Sequence, residues 1–113
     1  MLWKVRVKER YYNCERIHPL QQEWVGILVR QLKKHKEVEQ VCIFGSSVTK
    51  WCHNKSDVDI FIRLKKAMRR KELFDYNEIN FPFDLVTNFD ADEKFIEQIY
   101  KDGVVVYDKG NPA

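Results

Sequence analysis

Residues 57–62 read Asp-Val-Asp-Ile-Phe-Ile, and this short stretch constrains the fold more than any other part of the chain. Val58, Ile60 and Ile62 recur at every second position, the period of a β-strand, so they face a core together. Asp57 and Asp59 then leave the opposite face together. Aspartate is depleted in strands. The stretch is therefore either the solvent face of an edge strand or a core strand that carries a site.

The neighbouring segments supply the rest of a sheet. Val38 to Phe44 reads as a buried strand that Gly45 ends, with Ser46-Ser47 opening a short helix. Phe83 to Thr87 reads as a third strand and Val104-Val105-Val106-Tyr107 as a last short one. Leu20, Trp24, Ile27, Leu28 and Leu32 recur at helical spacing, which predicts a helix from about Pro19, a favoured first helical residue, to Lys36. Lys65 to about Asn77 reads as a basic helical connection. Asp90 followed by Glu93 resembles a capping box. The helix it starts carries Phe95, Ile96 and Ile99, and Gly103 stops it. Trp3, Val5 and Val7 alternate with Lys4, Arg6 and Lys8, which predicts an edge strand over residues 2–8. Strands alternating with helices imply an α/β or α+β domain, with one sheet layer covered by helices.

Composition sets limits on this picture. The chain has 113 residues, enough for one domain, and 44% of them are hydrophobic. A third are charged, but the net charge is only +3, so nucleic-acid binding is not indicated. No apolar run approaches the ~20 residues of a membrane span, and the alternating N-terminus is unlike a signal peptide. The expectation is a cytoplasmic protein with no membrane contact. Cys14, Cys42 and Cys52 are odd in number and lack Cys-x-x-Cys spacing, which suits reduced thiols. His18, His35 and His53 show no zinc-ligand spacing.

Three acids fall on strands: Asp57 and Asp59 on one, Asp84 on another. Strand pairing is able to bring them together. Clustered carboxylates repel unless a cation neutralises them, and an oxygen-only set favours magnesium or manganese over zinc. Gly45-Ser46-Ser47 stands at a strand-to-helix turn, where glycine allows close approach and free N–H groups receive phosphate. Each piece has a plain alternative: an ordinary turn, an exposed strand face, a loop aspartate. Their occurrence together in this order points to phosphoryl or nucleotidyl transfer.

Gly45-Ser46, ten residues, then Asp57-Val58-Asp59 resembles the Gly-Ser-x10-Asp-x-Asp pattern of DNA polymerase beta-like nucleotidyltransferases. Phe83-Asp84-Leu85-Val86-Thr87 is similar to that family's third-acid strand, and the ending Asp102-Gly103-Val104-Val105-Val106-Tyr107 looks like its small stand-alone members. The resemblance covers roughly residues 20–108 and implies a small mixed β-sheet covered by helices. Residues 1–16 then form an N-terminal extension that adds a strand, 17–108 the nucleotidyltransferase domain and 109–113 a tail. It implies that Asp57, Asp59 and Asp84 are the catalytic and metal-binding acids, holding Mg2+ or Mn2+ on ATP or another NTP. Asp84 also helps to activate the acceptor hydroxyl, and Gly45 and Ser46 bind the β- and γ-phosphates. Small relatives often carry Gly-Ser-Arg-Ala-Arg-Gly; this chain departs with Ser47-Val48-Thr49-Lys50-Trp51, where Lys50 or Lys55 is the available point charge.

A single domain this small has little surface left to enclose a second substrate. Stand-alone relatives pair with a helical HEPN toxin and act as its antitoxin, in some cases adding AMP to a tyrosine. The expectation is therefore an adenylyltransferase-like enzyme with a HEPN-type partner. The alternative is a non-catalytic module of the same fold that neutralises its partner by contact. Homo-oligomerisation stays open. Trp51 is expected to pack on the short helix rather than stack on a base, and His53 to be an exposed loop residue. Lys65, Lys66, Arg69, Arg70 and Lys71 are expected to form a solvated helix face.

Overall fold

A computed structural model describes residues 2–110. The four strands are β1 (Val38–Phe44), β2 (Val58–Leu64), β3 (Phe83–Thr87) and β4 (Val104–Asp108), and the helices are α1 (Gln22–Leu32), α2 (Arg70–Leu73) and α3 (Glu93–Asp102). The sheet order is β3-β2-β1-β4. Strand β1 pairs antiparallel with β2 and with β4, whereas β2 and β3 run parallel. The fold is thus a small α+β domain with a four-stranded mixed sheet. All four strands lie where the sequence reading puts them.

Each face of the sheet has its own cover. On one face Val41, Ile43, Ile60, Ile62 and Val106 are buried against Val25, Leu28, Val29 and Leu32 of α1. Each such side chain contributes roughly 1.5–3 kcal/mol when fully buried, so this larger cluster dominates the stability. On the other face Cys42, Phe61 and Ile99 are buried beneath α3. Phe61 meets Tyr100 edge to face at 5.7 Å. Parallel pairing of β2 with β3 requires a crossover, and residues 65–82 provide it. Trp24 anchors the end of that connection by stacking on Phe81 at 4.9 Å.

Several elements differ from the sequence expectations. Helix α1 begins at Gln22 rather than Pro19, because the preceding residues form a turn docked elsewhere: the Gln21 N–H donates to the His18 carbonyl and the His18 N–H to the Ser47 carbonyl. Leu20 is consequently exposed. The basic connection holds only the four-residue α2 and a 3-10 turn, Tyr76–Glu78, although its five basic residues are solvated as expected. The cap of α3 is Asp92, whose carboxylate accepts from the Phe95 N–H at 2.8 Å. Asp90 instead closes the turn after β3 by accepting from the Thr87 hydroxyl at 3.0 Å.

The strand expected over residues 2–8 does not form, although Trp3, Val5 and Val7 are half-buried and Lys4, Arg6 and Lys8 exposed. A strand needs a continuous backbone neighbour; here only the Trp3 N–H finds one, donating to the Glu15 carbonyl at 2.7 Å, and further along a side chain takes that place. Gln22 accepts from the Arg6 N–H at 2.8 Å and donates to the Lys4 carbonyl at 3.0 Å. The tail expected beyond Gly110 lies outside the described residues. All three cysteines are free and buried, and no described helix is long and apolar enough to cross a membrane.

Candidate functional site

The acids meet at one end of the sheet. Asp59 is the register partner of Asp84 on β3 and of Phe44 on β1, so Asp84, Asp59 and Phe44 form one row across three strands. Paired residues share a face, and Phe61, two residues after Asp59, identifies it as the α3 face. Asp57 immediately precedes β2 on the same face. Asp57 and Asp84 are exposed and Asp59 is half-buried.

The Gly45 turn closes on this row. Gly45 has φ +72°, a left-handed conformation that favours glycine. A methyl group there would collide with the Asp59 carboxylate, whose Cγ would lie only 3.2 Å away. The glycine is thus required twice, for its backbone angle and for the space it leaves Asp59. The expected short helix is a 3-10 turn, Gly45–Val48. Four residues carry little macrodipole, so phosphate binding here would rest on local N–H groups and the serine hydroxyl rather than on a helix field.

The two serines have different surroundings. Ser47 is buried and its hydroxyl donates to Gln21 Oε1. Gln21 Nε2 in turn donates to the Ser56 carbonyl at 2.9 Å. Buried Gln21 thereby ties the Gly-Ser turn to the segment that delivers Asp57. Sequence reasoning missed it, because a glutamine beside a helix start carries no local signal of burial. Ser46 is half-exposed on the same turn. His53 is exposed as expected, but Trp51 is 73% exposed and packs on nothing that covers it, with the Lys50 ammonium 5.0 Å from its ring.

Electrostatics link the acids. Burial first, then the neighbouring Asp84 and Asp57 carboxylates, push the Asp59 carboxyl above its ordinary range. The ion pairs among the described residues, Arg10–Glu15, Arg30–Glu78, Lys33–Glu9 and Arg69–Glu72, leave all three acids out. An oxygen-only set in this condition suits a hard divalent cation. As the side chains stand, no three acidic, histidine or cysteine groups among the described residues close into a metal-ligand cluster. The backbone placement and donor chemistry fit the cation; the side chains do not form a finished cage.

A small mixed sheet with acids on adjacent strands beside a Gly-Ser turn has the layout of a nucleotidyltransferase fold. The chain matches the family described as polymerase beta, nucleotidyltransferase over residues 28–111, and it belongs to that family. Members typically use a divalent metal and a nucleoside triphosphate. No curated protein matches the chain. Among solved structures, it is similar to a chain from the complex of tri-AMPylated Shewanella oneidensis HEPN toxin with MNT antitoxin. The TM-score is 0.57 at 17% identity, covering 80% of this chain and 74% of that one. It is similarly related to a mutant of the toxin-antitoxin MntA-HpeT, with a TM-score of 0.57 at 14% identity over 79% and 73% of the two chains. At these identities the likeness establishes the shared fold.

Proposed function

We propose that this domain is a metal-dependent nucleotidyltransferase that moves a nucleoside monophosphate, AMP in the first instance, from an NTP to an acceptor hydroxyl. The observation that carries this reading is the register pairing of Asp59 with Asp84 beside the Gly45 turn. Bound Mg2+ or Mn2+ supplies charge stabilisation for the triphosphate and for the attacking and leaving oxygens. Asp57, Asp59 and Asp84 would hold it. Gly45 and Ser46 receive the β- and γ-phosphates. Asp84, exposed at the edge of the row, takes the proton of the acceptor hydroxyl. The acceptor oxygen bonds to the α-phosphorus, the bond from that phosphorus to the α,β-bridging oxygen breaks, and pyrophosphate leaves with the electron pair.

The acceptor in this reading is a tyrosine of a HEPN-type helical toxin, which makes the domain an antitoxin. Two observations support it: the domain offers little surface to enclose a second substrate, and a structural relative stands in complex with an AMPylated HEPN toxin. Intact mass spectrometry of the partner after incubation with ATP and Mg2+ tests it. The expected result is one or more AMP increments, absent with Asp84→Asn, which still binds the partner. A second reading is a module that silences its partner by contact alone. It is favoured by Ser47-Val48-Thr49-Lys50-Trp51 in place of the arginine-bearing run. A cognate partner bound and silenced with no added mass under any nucleotide would select it.

A further inference from the structure

We infer that the groove between residues 6–11 and helix α1 is a docking site for an acidic, extended segment of another protein. The groove holds a cavity of about 370 Å³, within the roughly 300–1,000 Å³ range of binding cavities. Most of its lining lies before residue 28, where the family match begins. Neither the three acids nor the Gly45 turn contributes to it.

Charge gives the sign of the occupant. Arg6, Lys8, Arg10, Arg30 and Lys33 line the groove, against Glu9 and Glu23. That positive surplus equals the chain's entire net charge of +3, so the charges elsewhere balance. Lys33 pairs with Glu9 at 3.7 Å, Arg10 with Glu15 at 3.9 Å and Arg30 with Glu78. Arg6 and Lys8 are exposed and, among the described residues, enter no ion pair. A cleft lined by one sign of charge focuses its field, so the groove attracts an anion.

Two features select a peptide over a free phosphate or a nucleic acid. Val7, Tyr11, Gly26 and Ile27 give the groove an apolar wall. The Tyr11 hydroxyl already donates to the Gln22 carbonyl at 2.7 Å, which leaves its ring as apolar surface. The second feature is bare main chain. Gln22 holds the backbone of Lys4 and Arg6, but Val7, Lys8, Glu9 and Arg10 have no main-chain hydrogen bond to any described residue. A phosphate can accept from their N–H groups but offers no donor to their carbonyls. An extended peptide offers both, and its alternating side chains set apolar groups on the wall and carboxylates toward the cations.

Fluorescence anisotropy without nucleotide or metal tests the groove. The probes are fluorescein-labelled and about ten units long, enough for an added strand. One peptide alternates glutamate and leucine, another is all glutamate, and the third probe is oligouridylate. The alternating peptide should bind most tightly at low salt and weaken as salt rises. Arg6→Glu with Lys8→Glu should weaken it about tenfold, the scale of two exposed ion pairs lost. Both side chains are exposed, so the melting temperature should hold. Lys65→Glu with Lys66→Glu, the same charge change in the basic connection, should leave binding unaltered. The proposal is overturned if the alternating peptide does not bind. It is also overturned if both double variants weaken binding equally, since net charge alone then attracts the peptide. Oligouridylate binding as tightly as the alternating peptide would make the groove a nucleic-acid site, and equal binding of all-glutamate would remove the apolar wall; either result overturns the proposal.

Discussion

Asp59 and Asp84 stand opposite one another on adjacent parallel strands, and the Asp59 carboxyl is held above its ordinary range partly by that neighbour. They are separated by a connection that must cross the sheet before β3 can run alongside β2. The crossover therefore brings the two acids side by side, where like charges repel unless a cation neutralises them.

Removing that charge should remove the metal response. Asp57→Asn combined with Asp59→Asn is expected to abolish the Mg2+ dependence of ATP binding in calorimetry, with wild-type secondary structure. Unchanged metal dependence in the double variant would show that the acids are wrongly assigned.

The serines should separate binding from stability. Ser46→Ala is expected to weaken triphosphate binding by roughly 1.5–3 kcal/mol, the worth of a hydrogen bond to a charged group, while a nucleoside is hardly affected. Ser47→Ala leaves buried Gln21 short of a partner, which costs about 1–3 kcal/mol and lowers the melting temperature. Equal effects of both substitutions on binding would show that Ser46 is not the phosphate contact.

Gly45→Ala should affect both properties. Its φ of +72° and the collision with Asp59 force the turn to move. The left-handed angle alone costs on the order of 1–3 kcal/mol, so melting temperature should fall, and Mg2+–ATP affinity should fall with it. Wild-type affinity in a folded Gly45→Ala protein would separate the turn from the site.

Alkaline pH should weaken the fold from the opposite side of the cysteine chemistry. Burial pushes the Cys42 thiol up to about 12, and burial likewise raises the Tyr11 hydroxyl. A thiol in the unfolded chain ionises near pH 8.5, whereas the native one stays protonated. The native state then binds more protons, so stability is full below about pH 8.5. It declines as pH rises toward 12, where the native thiol also ionises. Melting temperatures from pH 8 upward test this. A shallower decline is expected for Cys42→Ala, measured relative to its own value at neutral pH; an identical slope would remove Cys42 as a cause.

The strands were legible because side-chain direction and short apolar runs are local properties of the extended backbone. Val58, Ile60 and Ile62 show the alternation, as does the shared face of Asp57 and Asp59, whereas Val38–Phe44 and Val104–Tyr107 show short apolar runs. The Gly-Ser turn was legible for a similar reason, since a left-handed angle calls for glycine at the residue itself. Residues 2–8 have the same alternation as a strand but form none, because a ladder needs a neighbouring backbone and Gln22 supplies a side chain instead. Asp92 rather than Asp90 caps α3, because Thr87 engages Asp90 first. Trp51 is exposed because the turn before it spans only Gly45–Val48 and offers no helix to pack on. The facing of Asp59 and Asp84, and the burial of Gln21 between the turn and the acids, depend on contacts between distant segments. Only the packed sheet decides those, because no property of a residue or its neighbours in sequence specifies which strand will lie alongside it.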